Sequence, residues 1–81
     1  MANIVEQHYL AIRHADSIRR IPDDVWPCPG IREALLARIT AGETLYGYWD
    51  GHAYLICHDG ADYTPREWAI RNGFAVNGKE A

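Results

Sequence analysis

Apolar residues recur at helical spacing over residues 3–20. At ~100° per residue Ile4, Val5, Ala11, Ile12, Ala15 and Ile18 fall on one arc, with Glu6, Arg13, Asp16, Ser17 and Arg20 opposite. Asn3 with Glu6 three positions later gives a capping-box start, and Pro22 ends the pattern. His8 falls inside the apolar arc and His14 outside it. The next stretch, IPDDVWPCPG at residues 21–30, carries three prolines. Each fixes its own φ and biases the residue before it toward extended backbone, so this stiff loop presents Trp26 at little ordering cost. A second helix is predicted over residues 31–41, with Ile31, Ala34, Leu35, Leu36 and Ile39 as its apolar face. Pro29 or Gly30 starts it, and Gly42 suits the left-handed stop.

From residue 43 the period changes to two. ETLYGYW and HAYLICH flank Asp50-Gly51, predicting a β-hairpin over residues 43–58 with a two-residue turn. That register sets Trp49 opposite His52, Gly47 opposite Tyr54 and Leu45 opposite Ile56. One face then carries Leu45, Gly47, Trp49, His52, Tyr54 and Ile56, with His58 beyond; the other carries Thr44, Tyr46, Tyr48, Ala53, Leu55 and Cys57. Asp59-Gly60 marks another turn. Thr64-Pro65-Arg66-Glu67 then combines a Thr cap, Pro at the first helical position and Glu closing a capping box, with Tyr63 and Trp68 placed as a hydrophobic staple. This starts a short helix over residues 65–72, which Asn72-Gly73 stops. Phe74-Ala75-Val76 reads as a short last strand and residues 77–81 as a frayed tail. The expectation is one α+β domain over residues 1–81, ordered helix, helix, hairpin, helix.

Composition narrows the function classes. With 81 residues, 48% of them apolar and three Trp and five Tyr among them, the chain has enough to bury to escape disorder. At this size the core is nevertheless thin. No apolar run approaches the ~18 residues of a membrane span. MANIVEQHYL lacks the basic and apolar regions of a signal peptide, so a cytoplasmic, reducing compartment is expected, with Cys28 and Cys57 free. Eight basic residues face eleven acidic ones, for a net charge of −3. Residues 1–42 are neutral and residues 43–81 carry the whole excess. Nucleic-acid binding draws on a positive surface, which this balance does not offer. Seven of the eight cations are Arg, a preference that a GC-rich genome explains as readily as carboxylate or phosphate recognition does.

Catalytic and metal signatures are weak. The four His and two Cys show no CxxC, HxxxH or CxxH spacing, and Cys57 and His58 leave opposite faces of a strand. A cysteine nucleophile needs a base within reach, and facing excludes His52 for Cys57. Asp23-Asp24 after Pro22 reads as a turn, and no glycine-rich phosphate loop occurs. The chain is therefore expected not to be an enzyme and to use no cofactor or metal. Two alternatives stay open: a small metal or thiol enzyme, and a winged-helix-like nucleic-acid regulator. The latter rests on element order alone, since the second helix offers only Arg32 and Arg38.

The expected activity is stoichiometric binding of another protein, as an inhibitor or adaptor. A hairpin is marginal alone and must pack against something. Here both faces carry aromatic residues, more than the neighbouring helices can roof, and such patches mark partners or self-association into a homodimer. The histidine-free face with Tyr46 and Tyr48 is assigned to the core, and Trp49, His52 and Tyr54 to the partner. Trp26 serves as a second anchor, and Asp50, Asp59 and Asp62 as an acidic rim favouring a basic partner surface. In size, acidity and lack of a catalytic signature the chain is similar to small anti-host proteins of phages and other mobile elements, anti-CRISPR inhibitors among them. That similarity transfers no site residues.

Overall fold

A computed structural model describes residues 4–76, with side chains from residue 8 onward. The Asn3–Glu6 capping box and the tail at 77–81 lie outside these described residues. Helix α1 (Ile4–Arg19) is followed by a 3-10 turn (Asp23–Val25), α2 (Ile31–Thr40), strands β1 (Leu45–Trp49), β2 (Tyr54–His58) and β3 (Ala61–Tyr63), and α3 (Pro65–Arg71). The strands form one antiparallel sheet in the order β1-β2-β3, so the fold is α+β. Helices α1 and α2 pack on each other and on β1, and α3 packs on β2 and β3. Between helices and sheet lie Ile18, Ile21, Ile31, Leu35, Ile39, Leu45, Ile56, Trp68 and Ala69, all buried.

Local chemistry accounts for the helix ends. Gly30 enters α2 in the left-handed region at φ 93°, and the chain leaves it through Gly42 at φ 100°. Thr64 caps α3 in a full capping box: its hydroxyl accepts from Glu67 N at 3.0 Å, and the Glu67 carboxylate accepts from Thr64 N at 3.0 Å. Helix α3 ends in a Schellman motif, with Phe74 N donating to Ala69 O at 2.9 Å and Gly73 N to Ile70 O at 3.2 Å. This turn folds Phe74 back against the core, where its ring sits 6.2 Å from that of Trp68. Residues 74–76 are consequently not a strand. The third strand is Ala61–Tyr63, on the other side of α3 in sequence.

The two Asp-Gly turns exchange roles relative to expectation. Asp59-Gly60 is the tight two-residue hairpin, pairing His58 with Ala61, and both residues take positive φ (51° and 85°) as a type I′ turn requires. Asp50-Gly51 instead opens a four-residue loop, Asp50 to Ala53, and the first pair behind it is Trp49 with Tyr54. The Asp50 carboxylate causes the difference: its Oδ1 accepts from His52 N and Ala53 N, both at 2.8 Å, while Asp50 N donates to Ala53 O at 3.1 Å. The pairing thus shifts by two residues. His52 and Ala53 leave the strand for the loop, yet an even shift keeps the residues that remain paired on their expected faces.

Helix α1 lies rotated from the arc that its sequence suggests. Ile18 is fully buried and Ala11 and Ala15 pack against the core, but Ile12 is 47% exposed and His8 is exposed. The C-terminal end of the helix sets this orientation, because Ile18 and Ile21 fill the space above Gly47. A Cβ at Gly47 would stand 2.6 Å from Ile21 Cδ1 and 3.4 Å from Ile18 Cδ1. Only glycine admits so close an approach.

Candidate protein-binding surface

The sheet has an inward face of Leu45, Gly47, Tyr54, Ile56 and His58, and an outward face of Tyr46, Tyr48, Leu55, Cys57 and Asp62. Leu45, Gly47 and Ile56 are buried beneath the helices. Among the described residues, none of the outward side chains packs against the core cluster. The helices thus cover Leu45, Gly47 and Ile56, on the face that was expected to meet a partner, whereas Tyr46 and Tyr48, expected in the core, are partly exposed. The helices can approach closely only where Gly47 leaves room, and that residue lies on the first face.

The outward side chains are partly exposed and lean on one another. Tyr46 stacks on His14 of α1 at 5.2 Å between centroids and tilts against Tyr48 at 6.1 Å. A hydrogen bond with Cys57 is the main reason that the Tyr46 phenol is held above its usual range. Partial desolvation does the same for Tyr48, followed by a hydrogen bond with Asp62, reached across β2. Burial, with Arg13 beside it, holds His14 below its ordinary value of 6.5, so at neutral pH it adds an uncharged ring. Leu10, 50% exposed, continues the surface along α1 and borders a cleft with Arg13, His14, Ser17 and Tyr46.

The residues singled out in the sequence fall in four places. At the hairpin tip Trp49, 56% exposed, stands 4.9 Å from the Tyr54 ring, with exposed Asp50 and His52 beside it. Tyr54 is partly buried and packs against the core from there. Asp62 belongs to the outward face. Asp59 lies at the far end of β2, 3.8 Å from His58. Trp26 is also partly buried against the core, with the Arg32 guanidinium 5.6 Å from its ring centroid. It lines an open cleft of about 500 Å³ between the proline loop and the start of α2. No ring contact among the described residues joins Trp26 to the hairpin tip. His14, Tyr46, Tyr48, Leu55 and Cys57 were not expected at this surface. Their alternation gave the grouping, but not the side on which the helices would land.

A polar clamp fixes the inward face. Trp68 Nε1–H donates to His58 Nδ1 at 3.1 Å, and an indole N–H can only donate. His58 therefore carries its proton on Nε2, which bonds Glu43 Oε1 at 2.7 Å; Arg38 stands 3.5 Å from the same carboxylate oxygen and lies over the Trp68 ring. Cys28 and Cys57 are free thiols. Among the described residues no group of three or more His, Cys, Asp or Glu is placed to hold a metal ion, and no helix is long and apolar enough to cross a membrane. Compared with family models, curated proteins and solved structures, the chain matches none.

Proposed function

We propose that this protein binds another protein stoichiometrically, as an inhibitor or adaptor without turnover, through the outward face of its sheet and the adjoining hairpin tip. One observation carries the reading: β1 and β2 present Tyr46, Tyr48, Leu55 and Cys57 on a side that no described core residue packs against. Contiguous apolar and aromatic surface of this kind on a small domain marks an interface, and Tyr and Trp dominate interface energetics. The excess of carboxylates in residues 43–81 suits a basic partner surface. The nucleic-acid alternative has less support. Arg32 of α2 is engaged by Asp23 and the Ile21 carbonyl, and Arg38 by Glu43 and Asn72, which leaves that helix little to offer phosphates.

Affinity capture with the tagged full chain, followed by mass spectrometry, tests the reading. The captured protein should be lost with Tyr48→Ala and weakened with Trp49→Ala, while the thermal transition of each variant stays within a few degrees of the parent. Capture that survives Tyr48→Ala would remove the outward face from consideration.

A further inference from the structure

The polar clamp of the inward face holds His58 between two partners of opposite demand. On one side Trp68 Nε1–H donates to His58 Nδ1 at 3.1 Å. On the other, His58 Nε2 lies 2.7 Å from Glu43 Oε1. The indole N–H can only donate, so Nδ1 is the accepting nitrogen and the ring proton sits on Nε2. Only the neutral ring satisfies both contacts. A second proton has one place to go, Nδ1, where it points at the indole N–H.

The surroundings decide what that proton does. Two carboxylates stand at Nε2: Glu43, from the segment before β1, at 2.7 Å and Asp59, from the turn after β2, at 3.8 Å. From α2, Arg38 lies 3.5 Å from the same Glu43 oxygen and over the Trp68 ring, and it donates to Asn72 Oδ1 at 2.7 Å. From α3, Arg71 borders the cleft that His58 shares with Asp59, Tyr63 and Trp68. The strand partners of His58, Leu45 and Ala61, carry no charge. A positive imidazole thus meets counter-ions at Nε2 and a competing donor at Nδ1. Its bond to Glu43 becomes charge-assisted, while its bond to Trp68 is abolished. Trp68 is only 1% exposed, and a buried donor without an acceptor is costly, so the contact between β2 and α3 loosens there.

We infer that His58 is a proton-operated latch between the sheet and α3. Neutral, it links Glu43 to Trp68; protonated, it keeps Glu43 and releases Trp68. The step moves one proton from solvent to Nδ1 and breaks one N–H···N hydrogen bond, with no change in covalent bonding elsewhere. The latch sits on the inward face, at the end of β2 away from Trp49 and Tyr54, so it stands apart from the protein-binding reading of the outward face.

NMR of the nitrogen-labelled full chain from pH 7.5 to 5, a range that spans the ordinary value of a histidine, tests this. The His58 ring nitrogens report protonation, and the coupling between Trp68 Nε1 and His58 Nδ1 across their hydrogen bond reports the latch. Trp68→Phe assigns the indole signal. The coupling should be present at pH 7.5 and lost as His58 becomes charged, with the Trp68 indole signal moving in step and those of Trp26 and Trp49 staying in place. His58→Gln supplies an amide oxygen that accepts but gains no proton, so its Trp68 signal should hold still over the same range. Should that variant fail to fold, the coupling in the parent protein decides by itself. No coupling at pH 7.5, a coupling that persists once His58 is charged, or a His58 that stays neutral down to acid unfolding would overturn the inference. So would a Trp68 signal that moves only together with those of Trp26 and Trp49, or one that moves equally in a folded His58→Gln.

Discussion

The two faces of the sheet are built from similar residues and have opposite fates. The inward face holds Leu45, Gly47, Ile56 and Tyr54; the outward holds Tyr46, Tyr48, Leu55 and Cys57. Apolar character does not distinguish them. What does is a single position without a side chain, because Ile18 and Ile21 can settle only over Gly47, where a Cβ would lie 2.6 Å from Ile21 Cδ1. Once α1 is seated there, the polar clamp of Glu43, His58 and Trp68 and the Schellman turn that returns Phe74 belong to the same side. The lesson is that the burial of a two-sided strand pair is decided by where a helix fits, and the remaining face is left partly exposed.

Paired substitutions across the two faces sharpen this contrast. The largest effect is expected from Ile56→Ala, which empties a fully buried site and should cost about 2–5 kcal/mol in urea unfolding. Its strand neighbour Leu55→Ala should cost under ~1 kcal/mol, as partly exposed positions do. Equal losses at the two sites would mean that the outward face is packed after all. Gly47→Ala comes next, at about 1–3 kcal/mol from overpacking against Ile21. Trp68→Phe removes the donor to His58 Nδ1 and should cost a comparable ~1–3 kcal/mol. Thr64→Ala, which removes half of a capping box, should cost about 0.5–2 kcal/mol.

The smallest expected effect is on pH dependence. His14 binds its proton less readily in the folded protein than its ordinary value of 6.5, because of burial and then Arg13. The unfolded chain therefore binds more protons just below that pH. The contribution of His14 is complete above 6.5 and is lost as the pH falls through the depressed folded value. Asp50, held down by the amides of Ala53 and His52, behaves in the same sense below 3.8. Unfolding midpoints measured from pH 7.5 to 5 should flatten in His14→Gln, and an unchanged slope would show that the ring is not desolvated against Tyr46.

Much of the architecture was legible because it rests on local chemistry. Thr64-Pro65-Arg66-Glu67 specifies a helix start through its own hydrogen bonds, and Gly42, Gly60 and Gly73 mark conformations that other residues rarely adopt. The alternation from Leu45 to His58 fixed which residues share a face, and this survived a register shift of two. Three features were not legible in this way. The Asp50 side chain widened a turn that its dipeptide suggested would be tight. The third strand, with a single partly buried residue among three, carried almost no apolar signal of its own. The choice of covered face depended on Ile18 and Ile21, which are 26 or more residues away from Gly47 in sequence. The candidate surface inherited that last difficulty: Trp49 and Asp62 were named for it from the sequence, while Tyr46 and Tyr48 were assigned to the core.

The amide of Gly47, donated to Ser17 Oγ at 2.9 Å, has a wider implication. It occupies the middle of one rim of the sheet, while the opposite rim is a strand of only three residues that includes a charged aspartate. Neither margin invites backbone zippering by a foreign chain, which protects the molecule against amyloid-like stacking. If the proposed binding face is right, a partner would come in broadside, and slowed amide deuteration on its addition should appear over the middle of the sheet rather than along its borders.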